Sequence, residues 1–478
     1  MNLIDRMKYK LKPYDWQFEA MRNAEHQSEY ALLAQMGSGK SGALVNILRL
    51  KYNQQGRIMR TIIFSPLVTL YNWANEFNMH SDLGSHVHVL AKASRKVKDF
   101  EKVMDRDCIV VMNYEAVQTD KFYKLLEAWK PEVIVCDEVH LIKNYKSKRA
   151  KKIIKLGDKA KYRFGLTGTP ILNTPLDIYN QYRFLDKGAT FGKSFFAFRA
   201  AYFVDSNAGW SNKPGHFPKF EPIETKFGEL TDKIYSKAIR VTKEQCLDLP
   251  PLIKKKMYVE MSKEQSKYYN QMKNDFITFV KDAKTNENKA ALATIALTKA
   301  LRLQQIVCGF VTTEDGEEIS FDDIPRLEIT KQLLEELTPE NKVIVWCSFK
   351  NNYTALANVC EELGVGYAMI TGEMSLDEKQ ESMERLEKDR DCRVIIANRR
   401  AGGIGVNLVA ASYSIVFSRN FSLGEELQSE ARNHRGGSQI HDRIVKIDLC
   451  TKDTIDETVL EALSNKQDVS DKIIDLKI

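Results

Sequence analysis

The stretch Tyr30-Ala31-Leu32-Leu33-Ala34-Gln35-Met36-Gly37-Ser38-Gly39-Lys40-Ser41 decides how this chain folds. Residues 30–34 form a short apolar run that reads as a strand buried on both faces, and a helical pattern follows Ser41. Between them lies the Gly-Ser-Gly-Lys-Ser turn expected of a phosphate-binding loop. Glycines let backbone N–H groups turn toward phosphate oxygens, and a helix N-terminus adds its partial positive charge. In this pattern Gly37, Ser38 and Gly39 line the cradle, Lys40 reaches the β- and γ-phosphates, and Ser41 ligates magnesium. A loop of this kind leaves the C-terminal end of a strand in a parallel α/β sheet.

Further apolar runs occur at residues 61–65, 108–112, 133–136 and 163–166, and again at 342–347, 393–397, 414–418 and 444–449. They alternate with amphipathic helical stretches, which predicts an α/β class with parallel sheets covered by helices. Because the pattern occurs twice, two such domains are expected, and 478 residues suffice for two cores. The expected limits are residues 1–185 for an N-terminal nucleotide-binding domain, 186–325 for a helical and irregular insertion, and 326–478 for a C-terminal domain. Within the insertion, residues 262–302 read as long helices and 312–325 as an acidic, turn-rich loop. The Gly/Pro-punctuated residues 207–222 carry no chemistry that can be named.

The run at 133–136 ends in Asp137-Glu138-Val139-His140. A carboxylate at the C-terminal tip of a parallel strand lies in the crevice where ligands bind. Asp137 is therefore expected to hold Mg²⁺, and Glu138 to polarise the attacking water. Thr167-Gly168-Thr169-Pro170 follows another strand; taken alone it reads as a simple turn, and the alternative is that its hydroxyls connect the nucleotide site to the interdomain cleft. Farther on, Gln428, Arg432 and Arg435 share one helical face by i, i+4 and i+7 spacing. A guanidinium brought across an interdomain cleft can neutralise charge on the γ-phosphate. Alternatively, this segment is a solvated basic helix end.

A formal charge of +7 is too small to argue for nucleic acid, but its distribution says more. Residues 143–163 contain ten basic side chains and one acid, directly after the Asp-Glu box. Alone, such a run is a solvated helix face; its position shifts the reading toward a phosphate-backbone contact. Eight cysteines without a CxxC pair argue for a reducing compartment and against a zinc module. No ligand cluster emerges from the eight histidines, and His86 and His88 read as structural. No apolar leader or spanning segment is seen, so a soluble, cytoplasmic protein without a signal peptide is expected.

Taken in order, these residues resemble a superfamily-two helicase, and more narrowly a Swi/Snf-type double-stranded DNA translocase. The broader resemblance rests on the ATP motifs and on Gln17, which matches the family's adenine-reading glutamine. For the narrower one, Phe64-Ser65-Pro66-Leu67 with Asn72-Trp73 is similar to a DNA-contacting motif. Pro170-Ile171-Leu172-Asn173, Arg240-Val241-Thr242-Lys243-Glu244 with Leu249-Pro250-Pro251, and Leu301-Arg302-Leu303-Gln304-Gln305-Ile306 match other family segments. Arg400-Ala401-Gly402-Gly403-Ile404-Gly405-Val406-Asn407-Leu408 is close to the family's fifth motif.

The resemblance implies two RecA-like domains in tandem and an ATP hydrolase requiring Mg²⁺. It implies that Gly405, Asn407 and Gln428 join the nucleotide site. It also implies DNA contacts at Ser65, Pro66, Leu67, Asn113, Tyr114, Lys143, Ser348, Phe349, Arg399, Arg400, Gly402 and Gly403. Arg399 stands where the family usually has a small hydroxyl residue.

The expected activity is ATP-driven movement along double-stranded DNA by a monomeric motor that grips mainly the phosphate backbone. A true helicase unwinding branched DNA or RNA is the alternative, and a non-catalytic ATP-binding clamp is a third reading. Partners in DNA repair, replication or recombination are expected, with a bacterial cell or phage-infected host as the setting and no membrane.

Overall fold

Strands β1 (Glu29–Ala34), β2 (Thr61–Ser65), β3 (Val87–Leu90), β4 (Ile109–Asn113), β5 (Val133–Asp137), β6 (Tyr162–Leu166) and β7 (Ala238–Val241) pair in the order β3-β4-β2-β5-β6-β1-β7. Every pairing is parallel. Helices cover both faces, which is why β2 and β4 are buried along their whole length. On one face Asp15–Glu25, Lys40–Gln55 and Leu70–His80 enclose a core containing Leu44, Leu48, Trp73 and Phe77. On the other, Asp120–Trp129 and Lys148–Lys159 supply Phe122, Leu126, Ile153 and Leu156. The structure, a computed structural model, describes residues 3–91, 95–207, 219–243, 245–246, 248–283, 289–313, 315–402 and 406–474. Most of residues 207–222, together with Glu244, Gly403 and Gly405, therefore lie outside the described residues.

A second all-parallel sheet has six strands: β8 (Leu252–Val259), β9 (Val343–Cys347), β10 (Gly366–Ile370), β11 (Cys392–Asn398), β12 (Tyr413–Val416) and β13 (Ile444–Thr451). Their order is β8-β13-β12-β9-β11-β10. The chain forms two compact units, and neither is one continuous stretch. Met1–Val204, Phe220–Asp248 and Lys466–Ile478 make the first; Asp205–Lys219 and Leu249–Asn465 make the second. Ile474, near the end of the chain, joins the first unit's cluster with Ile171, Ile178 and Leu230.

The expected long helices appear as Lys263–Ala283 and Lys289–Val307. Residues 312–325 are not simply a loop. Phe310–Thr312 pairs antiparallel with Glu318–Ser320, and Gly316 turns the chain between them at φ 87°. Among the described residues no helix is long and apolar enough to cross a membrane.

One buried cation joins three parts of the second unit. Arg326, at the start of helix Pro325–Leu337, donates to the Phe417 carbonyl and the Thr451 hydroxyl, each at 2.6 Å, and forms an ion pair with Asp456. Removing one member of such a pair leaves the other charge buried without compensation. Arg326→Leu is expected to destabilise the second unit by about 3–5 kcal/mol, read as a shifted denaturant transition.

Candidate active site

Because β5, β6 and β1 are neighbours, the loops leaving their C-terminal ends emerge side by side. The loop after β1 turns through Gly37 at φ 85° and Gly39 at φ 87°, a region that L side chains avoid, and helix Lys40–Gln55 starts directly behind it. Lys40 Nζ donates to the Ala34 carbonyl at 2.7 Å and to that of Gln35 at 3.2 Å, so its charge is held over the loop. Gln17 braces the turn: its amide donates to the Gly39 carbonyl at 2.9 Å, and its carbonyl accepts from Tyr14 N at 2.9 Å. Gly168, after β6, backs onto the same loop. A Cβ there would stand 3.1 Å from Met36 N, so a side chain at this close approach would push the loop by a few tenths of an ångström.

Asp137 and Glu138 follow at the tip of β5. Ser65 Oγ and Trp73 Nε1 donate to Asp137 Oδ2 at 2.8 and 3.1 Å, and Tyr114 OH donates to the Asp137 carbonyl at 2.6 Å. Glu138 has φ 54°, a left-handed conformation uncommon outside glycine, which sets its carboxylate apart from the strand. Thr167 Oγ1 donates to Glu138 Oε2 at 3.1 Å, and His140 Nδ1 lies 3.3 Å from that oxygen and 2.9 Å from the threonine hydroxyl. Thr167 Oγ1 also accepts from Thr169 N at 3.1 Å, which ties the Thr-Gly-Thr turn to the acidic pair.

The two carboxylates are driven apart in acidity. Enclosure and the neighbouring Glu138 charge push Asp137 upward. For Glu138, enclosure acts upward as well, but the opposing effects of His140, Lys40 and Thr167 prevail and hold it low. Ser41 follows Lys40 in the first turn of the helix, and its hydroxyl and the Asp137 carboxylate are hard oxygen donors suited to magnesium. The glycine turn, the helix N-terminus and the Lys40 amine fit a triphosphate.

Several residues expected at DNA are instead part of the packing. Ser65 and Tyr114 are buried and hold Asp137, while Asn113 is buried and bonded to Lys96 and Glu115. Pro66 is also buried, whereas Leu67 is exposed. Lys143 is paired with Asp177 at 3.0 Å. Much of the basic run is neutralised within its own unit: Arg149 meets Glu115, Lys152 meets Asp120, Lys155 and Lys159 share Glu127, and Arg163 meets Glu29. Apart from Arg163, which is buried on β6, these residues are better described as a solvated, self-paired face.

In the second unit, the expected single helical face breaks. The helix ends at Glu430, so Gln428 lies on it while Arg432 and Arg435 lie in the turns that follow. Arg432 is buried: its guanidinium donates to the Val406 carbonyl at 3.2 Å, and its own carbonyl accepts from Leu408 N at 3.0 Å. Arg435 is half-exposed. Arg399, expected at a DNA phosphate, is enclosed with Glu426 in an ion pair that also takes in Lys446. Arg400 and Asn407 are exposed, and Gly402 closes the short helix Arg399–Gly402. Ser348 N donates to Ser418 Oγ at 2.7 Å, and the Phe349 ring packs edge-on to Phe310.

The pattern of an SNF2-related domain matches residues 16–310, and that of a helicase conserved C-terminal domain matches residues 325–437. The chain belongs to the SNF2-related family. It is 26% identical to an uncharacterized ATP-dependent helicase of Mycoplasma genitalium, over 98% of this chain and 42% of that protein. With the putative ATP-dependent helicase/translocase YwqA of Bacillus subtilis it shares 25% identity, over 92% of this chain and 46% of the relative. The transcription regulatory protein SNF2 of Saccharomyces cerevisiae is 24% identical over 98% of this chain and 27% of that protein. This chain thus spans less than half the length of these curated relatives. A solved SWI2/SNF2 ATPase core of Sulfolobus solfataricus in complex with double-stranded DNA aligns over the whole chain at 23% identity, with a TM-score of 0.44.

Within this SNF2-related site, Trp73, His140 and Arg240 belong to quoted motifs, but the sequence assigns them no role at the nucleotide site. Arg240 lies on β7 beside β1, and its guanidinium reaches the carbonyls of Leu33 and Gly168 at 3.2 and 3.3 Å. The available signal was position: each lies within a motif, but only pairing between strands distant in sequence shows what it touches.

Gly39 provides a direct test of the cradle. A methyl group there would stand 2.9 Å from Gln17 Nε2 on backbone at φ 87°. Gly39→Ala is expected to weaken binding of a fluorescent ATP analogue by about tenfold or more, with a modest loss of thermal stability from the strained backbone.

Proposed function

We propose that this SNF2-related chain is a DNA-dependent ATPase whose hydrolysis drives movement along double-stranded DNA. The observation that carries the reading is the convergence of Lys40, Asp137, Glu138 and Thr167 at the ends of three adjacent parallel strands, in a chain of this family. The names of the relatives, ATP-dependent helicases and a helicase/translocase, support it.

The steps follow from the side chains. The glycine turn and Lys40 would bind the triphosphate, with Lys40 exchanging its loop carbonyls for phosphate oxygens. Magnesium, held by Ser41 and Asp137, would neutralise charge developing on the phosphate oxygens. Glu138, kept ionised by His140 and Thr167, is suited to orient a water and accept its proton. Thr167 bonds to Glu138 and to the Thr169 backbone, so a change in that turn reaches the base directly. Of the two arginines, half-exposed Arg435 is the candidate for supplying charge to the γ-phosphate, while buried Arg432 holds the Val406–Leu408 segment.

DNA contact is assigned to the accessible residues, chiefly Leu67 and Arg400, with backbone phosphates as the main target. Such binding carries little sequence information and weakens steeply with salt.

The deciding experiment is ATP hydrolysis by the purified protein with duplex DNA, single-stranded DNA or RNA, beside Lys40→Ala. Duplex DNA is expected to raise the rate most, with less stimulation at higher salt, and Lys40→Ala is expected to abolish turnover. Stronger stimulation by single strands or RNA would replace movement on duplex with unwinding. Turnover that survives in Lys40→Ala would refute the assigned site.

A further inference from the structure

Between the exposed Leu67 and the Asp137 carboxylate lies a closed set of polar contacts that hydrolysis does not by itself require. Ser65 Oγ donates to Asp137 Oδ2 at 2.8 Å. The Trp73 indole N–H is shared between that oxygen and Ser65 Oγ, at 3.1 Å from each. Thr69 Oγ1 lies 2.7 Å from Ser65 Oγ and donates to the Pro66 carbonyl at 3.0 Å. Ser65 and Trp73 thus flank the single turn Leu67–Thr69, and both ends of the turn close on one carboxylate oxygen.

The geometry points to Trp73, with Ser65 and Thr69, as a positioning assembly that carries engagement of the Leu67–Thr69 turn by duplex DNA to the Asp137 carboxylate. The inference rests on the reading of the chain as a DNA-dependent ATPase. Its physical basis is stiffness. Trp73 is almost wholly buried in helix Leu70–His80, in the same core as Leu44 and Leu48 of the helix that begins at Lys40. Packing of that ring fixes the position of its N–H, and an indole has no alternative donor.

Both side-chain bonds to Asp137 end on Oδ2, so coordination of a cation falls to Oδ1. A displacement of the turn must then either rotate the carboxylate or stretch a charge-assisted bond. Either result changes how well Oδ1 is aimed. Tyr114 holds the Asp137 backbone through its carbonyl, so the side chain can respond while the strand end stays in place.

Two variants test the assembly. Trp73→Phe keeps an aromatic ring in the core and removes the donor; Thr69→Val removes the hydroxyl on the turn. In each, the ratio of duplex-stimulated to unstimulated kcat is expected to fall about fivefold to tenfold, with KM for ATP held within about twofold. The second readout needs no turnover. Tryptophan-selective ¹⁵N labelling gives one indole resonance for each of the five tryptophans, and Trp73 is the one lost in Trp73→Phe. That resonance is expected to move when duplex DNA is added without nucleotide.

A wild-type rate indifferent to duplex refutes the DNA reading, and this inference falls with it. With stimulation present, an unchanged ratio in Trp73→Phe, or a Trp73 resonance blind to duplex, overturns the assembly alone. Should Trp73→Phe not fold, the ratio in Thr69→Val decides on the same terms.

Discussion

A carboxylate drawn partly out of water needs donors that favour its charged form, and the nucleotide edge of the first unit is arranged around that need at Asp137. Ser65 and Trp73 supply two donors. Hydrogen bonds to a charged group contribute about 1.5–3 kcal/mol each, enough to offset much of the cost of enclosure. These bonds also place β2 and the helix after it against β5. From the other side of β2, the Tyr114 hydroxyl at the end of β4 reaches the Asp137 carbonyl. The next residue, Glu138, leaves the strand in a left-handed turn toward His140 and Thr167. Two adjacent carboxylates therefore meet different surroundings and take different roles.

In the second unit, enclosed charge organises a different set of segments. Glu426 is shared by Arg399 and Lys446, and Asp448 pairs with Arg419 at 2.6 Å. The partners come from the end of β11, the helix Leu423–Glu430, the segment after β12, and β13. Buried ion pairs add little net stability over an apolar core, but losing one partner is costly, so such a network favours one arrangement of its segments. Arg432 adds a second tie through Val406 and Leu408. Arg399 and Arg432 thus hold the segments on which exposed Arg400 and half-exposed Arg435 are displayed.

The central strands were legible because a parallel strand covered on both faces must be apolar throughout, and β2, β4, β5 and β9 obey that rule. Strands at or near an edge escaped it. β8 carries Lys254, Lys255 and Lys256 in succession and is exposed along most of its length; β3 and β10 are only half-buried. The hairpin Phe310–Ser320 was hidden by its brevity, and the helix expected through Arg435 stopped at Glu430 because helical spacing does not itself mark an end. Lys40, Asp137, Glu138 and Thr167 come together because each follows a strand, and parallel strands release their loops at one edge.

The sequence by itself determined the α/β class, the twofold recurrence of the strand pattern and the residues of the phosphate loop and acidic box, since these depend on local order and side-chain type. Only the tertiary structure decided which polar residues turn inward. Ser65 and Tyr114 belong to segments that resemble DNA-contacting ones, yet both bond to Asp137. Arg399 has the charge to meet a phosphate, yet it meets Glu426. A polar side chain satisfies the partner nearest to it in space, and that partner is set by the pairing of strands far apart in the chain.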